Sequence, residues 1–291
     1  MTKVLKGGPV AEQVQNDLIA RVKDYRNGGL RPTLGILRVG EREDDKAYEA
    51  RVEKNCNKVD MAVEVVKVDN NINMKDLLAA LDQLNKDPKI HGILVFRPLP
   101  DHLDEKVIAK AINPLKDIDC MHPDNCERIF EGDGSGLEPC TPQAVIALLK
   151  YYDYKLSGLH VVIVNRSLVL GKPLAMMLLS ENATVTLCHS KTRNLGLLMR
   201  SADIVVTGVG KPKYFGKDCF TEQTCIVDVG INFDGTQMCG DADYEALKQY
   251  CEAISPVPGG VGAVTAMMLL NNVIKALDCQ QMQNEQKYRE V

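Results

Sequence analysis

The stretch His160-Val161-Val162-Ile163-Val164-Asn165-Arg166-Ser167-Leu168-Val169-Leu170-Gly171-Lys172-Pro173 gathers an amide, a guanidinium, a hydroxyl, a glycine and an ammonium behind an apolar run. The chemistry open to such a set is the holding of an anion. A short apolar run bounded by turn residues suits a central parallel strand, and Gly171 lets the following backbone pass close to a ligand. Free N–H groups at the start of the next helix attract anions, so a nucleotide pyrophosphate is the natural occupant. The glycines depart from the common dinucleotide fingerprint, because Asn165 stands where the first glycine is expected. An ordinary strand-to-helix turn would read the same way, so this motif does not decide the function.

A second loop, Ser255-Pro256-Val257-Pro258-Gly259-Gly260-Val261-Gly262, leads into an apolar helix over 263–276. Two prolines fix dihedrals and three glycines free them, which suits a loop that approaches a ligand or another domain closely. A plain helix-start loop is the bland reading, and such a loop seldom needs three glycines. Metal chemistry finds no ligand set. The ten cysteines, at 56, 120, 126, 140, 188, 219, 225, 239, 251 and 279, contain no Cys-x-x-Cys pair, and no two of the five histidines stand at helical ligand spacing. The cysteines read as reduced, mostly buried thiols of an intracellular chain.

The elements that must position these residues alternate. A helix over 10–25 carries Val10, Val14, Leu18 and Val22 on one stripe. Strands follow at 33–39, 63–68 and 91–96, with helices at 44–58 and 73–84 between them, and Arg97-Pro98-Leu99-Pro100 stops the last strand. A second block opens at Pro139-Cys140-Thr141-Pro142, read as a helix start with Thr141 as N-cap and Pro142 in the first helical position. Its strands lie at 160–164, 184–188, 203–207 and 225–229. The first block reads as βαβαβ, and the alternation in the second predicts a doubly wound parallel sheet with ligands at the carboxyl ends of its strands. The polar segment 113–138 is expected to cross the junction between the blocks, and His122 within it to be a surface loop residue.

At 291 residues the chain is long enough for two domains. A hydrophobic share of 45% and a charged share of 25% are ordinary for a globular protein, and a net charge of -4 argues against a surface that coats nucleic acid. The N-terminal residues lack the apolar core of a signal peptide, and the longest apolar stretch, near 263–270, falls short of a bilayer span. The expectation is a cytoplasmic protein with neither nucleic-acid nor membrane partners.

Taken together, the segments resemble the bifunctional methylenetetrahydrofolate dehydrogenase/methenyltetrahydrofolate cyclohydrolase family almost end to end. The likeness rests on Val39-Gly40 followed by Tyr48, on His91-Gly92-Ile93-Leu94-Val95 entering Pro98-Leu99-Pro100, and on Lys116-Asp117-Ile118-Asp119. It continues through Pro139-Cys140-Thr141-Pro142, Arg166-Ser167, Gly171-Lys172-Pro173, Asn182-Ala183-Thr184-Val185-Thr186, Cys188-His189-Ser190-Lys191-Thr192, Asp228-Val229-Gly230-Ile231-Asn232, Gly240-Asp241 and the 256–262 loop with Thr265. The resemblance implies an α/β chain of two domains: an N-terminal catalytic domain (1–140 plus 271–291) and a C-terminal Rossmann-type parallel-sheet NAD(P)-binding domain (141–270). It also implies a folate cleft between them and a homodimer formed through the Rossmann domains. In the family reaction a hydride leaves the one-carbon bridge of 5,10-methylenetetrahydrofolate for the nicotinamide. Water then opens the methenyl product to 10-formyltetrahydrofolate.

Carried over residue by residue, the resemblance makes Tyr48 and Asp119 catalytic. It places the folate against Tyr48, Val52, Phe96, Pro98, Leu99, Asp119, Pro258, Gly259, Gly260, Val261 and Thr265. The family pattern of tyrosine, three residues and lysine is altered, since Val52 stands at the lysine position, Phe96 at that of the partner glutamine and Asp45 at that of a serine. Val52 can neither donate a hydrogen bond nor move a proton. Arg51 and Lys54 face other directions on an ideal helix. Hydride departure leaves a cation delocalised over two folate nitrogens and mainly requires alignment, whereas hydrolysis needs a positioned acid or base. The expectation is a dehydrogenase with weak or lost cyclohydrolase activity. Cys120 replaces the glycine usual after Asp119.

The resemblance further implies cofactor contacts from Thr141, Asn165, Arg166, Ser167, Gly171, Lys172, Pro173, His189, Ser190, Gly208, Val209, Gly210, Gly230 and Ile231. His189-Ser190-Lys191 contains no acid to bind the ribose hydroxyls of NAD, so Arg166, Ser190 and Lys191 favour NADP, with NAD possible. Three alternatives stay open: a full bifunctional enzyme with Lys54, Asp45 or a water in place of the lysine, a folate- or nucleotide-binding protein without turnover, and an unrelated Rossmann dehydrogenase acting on a keto or amino acid.

Overall fold

The computed structural model describes residues 2–289, apart from the side chains of 284 and 286–289. The chain divides into two compact units, one of Met1–Gln13 with Pro139–Met268 and the other of Val14–Glu138 with Leu269–Val291.

The first unit is built on a six-stranded sheet in the spatial order Lys3–Val4, Ala253–Ile254, Cys225–Asp228, Ile204–Thr207, His160–Val164 and Thr184–Cys188. Every neighbouring pair is parallel. Crossovers between parallel strands are long, and here they carry the helices Gly171–Ser180, Leu195–Arg200 and Tyr244–Leu247. Val161, Val162, Ile163, Ile204, Val205, Val206, Cys225, Ile226 and Val227 have no exposed surface. That is why their strands read as continuous apolar runs. From His160–Val164 the chain goes out to Thr184–Cys188 on one side and then returns to Ile204–Thr207 on the other. This reversal puts a switch point, the usual place for a ligand in an open α/β sheet, at the carboxyl end of His160–Val164.

The second unit holds a three-stranded parallel sheet, Ala62–Val68, Thr33–Val39 and Gly92–Val95 in that order. The helices Glu43–Lys58 and Met74–Lys86 connect its strands, the latter capped by Asn73, whose side chain accepts from the Asp76 N–H. Leu37, Leu77, Leu81, Ile90 and Ile93 form the fully buried centre of one face.

Several sequence expectations need correction. Residues 2–13 belong with the six-stranded unit, because Lys3–Val4 pairs with Ala253–Ile254 and the Gly7 N–H donates to the Gly259 carbonyl at 2.8 Å. Two residues are too few for a periodic signal. Segment 113–138 stays within the three-stranded unit and includes the helix Pro123–Glu131. His122 is its N-cap, with Nδ1 accepting from the Asp124 N–H at 3.1 Å, so this histidine is a structural group rather than a loop side chain. The helix Cys140–Tyr151 is preceded by Pro139 as N-cap, which moves Thr141 into the first turn. The last helix extends over Val261–Arg289, and its Val261–Gln283 portion is long and apolar enough to cross a membrane by length and composition. With 61% of its most apolar window buried, it is a core helix of this fold.

Candidate active site

In the three-stranded unit the helix Glu43–Lys58 presents Tyr48 on its exposed face, with 40% of the residue open to solvent. The Tyr48 and Phe96 rings meet at 5.2 Å between centroids and 43° between planes, and the Arg51 guanidinium lies 6.0 Å from the Tyr48 ring. Such tilted pairs favour aromatic contact beyond the area they bury. Val52, one turn on, is only 3% exposed. It is a packing residue of the core here. Leu99 is likewise packed in the core, while Pro98 is exposed.

Asp45 and Lys54 are poorly placed to replace the missing lysine. Asp45 is buried and takes both Arg42 nitrogens, Nε at 2.8 Å and Nη2 at 2.9 Å. Lys54 is exposed on the outer face of the helix. Glu49 is buried, with Arg38 Nε at 2.7 Å and Lys67 Nζ at 3.3 Å. This pair anchors the helix to the sheet and was not singled out by sequence reading.

A parallel bridge from Ile93 to Asp117 carries the 117–119 segment alongside Gly92–Val95, so Asp119 arrives beside the strand end. There Asp119 Oδ2 accepts from Arg97 Nη2. Burial pushes the Asp119 carboxyl above the ordinary carboxylate range, and the Arg97 charge and hydrogen bond offset only part of that rise. Asp117 is fully buried and accepts from the Met121 N–H, the His122 N–H and Asn125 Nδ2. Cys120 adopts the left-handed backbone, φ 55°, that its glycine counterpart would favour, at a cost of roughly 1–2 kcal/mol for a residue with a Cβ.

At the switch point of the six-stranded unit, Asn165 organises the turn. Its Oδ1 accepts from the Ser167 N–H (2.8 Å), Ser167 Oγ (2.8 Å) and the Gly171 N–H (3.0 Å), while its Nδ2 donates to the Gly208 carbonyl (2.5 Å). The Lys172 N–H donates to the Ser167 carbonyl at 3.1 Å. The expectation of free N–H groups at this helix start is therefore corrected for Gly171 and Lys172, whose donors the turn itself takes up. Gly171 is needed for a related reason: a Cβ there would lie 2.0 Å from the Asn165 carbonyl oxygen. The glycine admits the chain's own backbone rather than a ligand. Pro173 is buried behind it, and Arg166 and Lys172 project into solvent.

Register aligns Val164 with Cys188, so Arg166 and the His189-Ser190-Lys191 turn emerge from neighbouring strand ends. His189 Nδ1 accepts from the Lys191 N–H at 3.1 Å, and the His189 N–H donates to Thr192 Oγ1 at 2.9 Å. Ser190 and Lys191 are exposed. The next two strand ends are pinned by two buried aspartates whose role the sequence pattern alone does not reveal. Asp241 accepts from the Val209 N–H (2.5 Å), the Lys211 N–H (2.9 Å) and Asn232 Nδ2 (2.9 Å), which fixes the Gly208-Val209-Gly210 turn. Asp228 accepts from the Gly230 N–H (2.9 Å) and the Ala242 N–H (2.7 Å), which fixes the turn leading to exposed Ile231.

Burial raises the Asp228 carboxyl from 3.8 to about 6, against the lowering effect of its N–H donors. The fold thus holds this proton more tightly than the unfolded chain does. The contribution of this group to stability is complete below about pH 4 and is lost as pH rises through about 6. The Asp228 carboxyl carbon, followed by NMR, should titrate with a midpoint near 6. An ordinary carboxylate midpoint would refute this account.

The 256–262 loop also packs against its own unit. Gly259 has φ 100°, and a Cβ on Gly260 would lie 2.5 Å from the Pro256 carbonyl oxygen. Pro258 and Gly259 are exposed, Gly260 and Val261 are buried, and Thr265 Oγ1 donates to the Val261 carbonyl at 3.2 Å. Among the described residues no group of three or more histidine, cysteine or acidic side chains could hold a metal ion.

A family model described as "Tetrahydrofolate dehydrogenase/cyclohydrolase, catalytic domain" matches residues 5–119, and one described as "Tetrahydrofolate dehydrogenase/cyclohydrolase, NAD(P)-binding domain" matches residues 139–281. The chain belongs to the tetrahydrofolate dehydrogenase/cyclohydrolase family. It is 48% identical over 281 residues to "Bifunctional protein FolD 1" of Desulfitobacterium hafniense, covering 96% of this chain and 100% of that one. Among solved structures it resembles the bifunctional FolD methylenetetrahydrofolate dehydrogenase/cyclohydrolase of Campylobacter jejuni, with TM-score 0.92, 36% identity and coverage of 95% and 98% of the two chains. It also resembles the FolD methylenetetrahydrofolate dehydrogenase-cyclohydrolase of Trypanosoma brucei, solved with NADP and an inhibitor, with TM-score 0.88, 30% identity and coverage of 95% and 97%. Membership makes the chain an oxidoreductase of folate one-carbon metabolism with a Rossmann-type NAD(P)-binding domain. The two-activity names of these relatives favour the full bifunctional alternative over the expected dehydrogenase with weak or lost hydrolysis.

Proposed function

We propose that this chain oxidises 5,10-methylenetetrahydrofolate with NADP and hydrolyses the methenyl product to 10-formyltetrahydrofolate. The observation that carries the reading is the Tyr48–Phe96 ring pair next in sequence to the Arg97–Asp119 ion pair, both within the segment matched to the catalytic domain. Tyr48 offers a half-open aromatic face to the pterin and aminobenzoate system. Asp119 accepts from the pterin amino and ring N–H donors. NADP supplies the hydride acceptor. Arg166, Ser190 and Lys191, at adjacent strand ends without a carboxylate in their turn, receive its extra phosphate, and the turns held by Asp228 and Asp241 shape the remaining cofactor side. The exposed backbone at Pro258 and Gly259 is assigned to the folate and nicotinamide on the resemblance alone.

A second reading, with hydrolysis weak or lost, is favoured by the burial of Val52 and the engagement of Asp45 by Arg42. Methenyltetrahydrofolate absorbance separates the readings. The proposal expects absorbance to form with NADP, more efficiently than with NAD, and to decay without cofactor. Formation without enzymatic decay selects the second reading, and no formation with either cofactor overturns both.

We also infer a cytoplasmic homodimer. Its support is the apolar surface of the six-stranded unit, including Leu187 on the edge strand and Phe233, together with ten free cysteines suited to a reducing compartment. Sedimentation at micromolar concentration tests the dimer.

A further inference from the structure

Arg97 belongs to none of the motifs that carry the family likeness, yet it is the cation in contact with Asp119. The two side chains are 28% and 29% exposed, so the pair is partly withdrawn from water while keeping an open side. Burial and the nearby charge of Asp117 favour the neutral acid at Asp119, and Arg97 opposes both. The adjacent Cys120 thiol is pushed above its ordinary range, chiefly by its hydrogen bond with Cys126, whose own thiol is pushed down to about 7. A protonated Asp119 would set an O–H donor against the N–H donors of a pterin, whereas the carboxylate offers about four lone-pair sites on two oxygens. Arg97 occupies one of them on Oδ2.

We propose that Arg97 is a positioning residue for folate: it fixes the orientation of the Asp119 carboxyl group through Oδ2 and leaves the remaining acceptor sites of that group to the pterin edge. The proposal rests on the assignment of Asp119 to the pterin. It makes Arg97 the residue that sets the acid limit of folate binding. Without the guanidinium the Asp119 proton is held to higher pH, so the ionised acceptor is lost earlier as pH falls.

The test measures tetrahydrofolate affinity by calorimetry, and KM, kcat and their pH dependence with NADP, for wild type, R97M, R97K, D119N and the R97M/D119N double variant. R97M should raise both the dissociation constant and KM about 10-fold at neutral pH, leave kcat within roughly threefold, and move the acid limb of kcat/KM to higher pH. R97K should restore most of the affinity, and R97M should add nothing in the D119N background. Unchanged affinity and acid limb in R97M, or a further loss on adding R97M to D119N, would overturn the proposal. If R97M does not fold, R97Q, which keeps donors but no charge, must show the same upward shift of the limb. Wild-type protein that binds no folate refutes the functional reading itself, which is a different failure from an R97M indistinguishable from an active wild type.

Discussion

On the second reading, with hydrolysis weak, Val52→Lys increases the hydrolysis of methenyltetrahydrofolate by about 10²-fold and leaves the dehydrogenase rate nearly unchanged, because a positioned acid-base group contributes roughly 10²–10⁴ to a step that moves protons; on the proposed bifunctional reading it leaves both rates nearly unchanged. Position 52 lies one helical turn beyond Tyr48 and is 3% exposed. An ammonium introduced there is partly desolvated, which lowers its pKa toward the working range, and its four-carbon stem can follow the helix surface toward the Tyr48 side. Hydride departure draws on alignment rather than proton transfer and has little to gain. The measurement is methenyl decay without cofactor, beside methenyl formation with NADP, on protein whose melting temperature shows that the lysine is accommodated. Equal hydrolysis by wild type and the folded variant would show that another group already performs this proton transfer.

Asp241→Ala disables the cofactor side of the six-stranded unit. Three donors, the Val209 N–H, the Lys211 N–H and Asn232 Nδ2, lose their acceptor at a fully buried site. A buried donor left unmade costs about 1–3 kcal/mol; the Asn232 donor is buried and the Val209 and Lys211 N–H groups are partly so, and a loss of roughly 2–4 kcal/mol is expected, or about 5–10 °C in melting temperature. The Gly208-Val209-Gly210 turn loses its anchor at the same time, and NADP affinity should fall by about 10-fold or more, because ordering the turn then opposes binding. Asp241→Asn keeps one acceptor and should fall between the two. Thermal unfolding and NADP titration check both effects. A variant that melts like wild type and binds NADP equally well would remove Asp241 from this role.

These two positions show what kind of information the sequence held. The substitution at position 52 was visible as a departure from a spaced motif, since tyrosine and lysine four residues apart share a helix face whatever the surrounding fold. The aspartate at 241 was visible as part of a motif but not as an anchor. Its three donors come from residues 9 to 32 positions away, and their meeting depends on which strands lie side by side. The Arg97–Asp119 pair is of the same kind, brought together by the bridge from Ile93 to Asp117.

The 160–173 stretch makes the distinction most clearly. Apolar strands, the helices between them and the turn after Val164 follow from periodicity and turn chemistry, which are local, and the structure has them at the expected places. Local pattern also suggested that Gly171 and the helix start served a ligand. The fold assigned them to Asn165, whose side chain gathers the Gly171 and Ser167 donors before any ligand arrives. The sequence by itself determined the family, the parallel-sheet architecture and the loss of a lysine. Tertiary structure decided which polar groups are already satisfied, which aspartates hold turns and which carboxylate faces a cation, because a buried donor is satisfied by whatever acceptor the packing brings within reach.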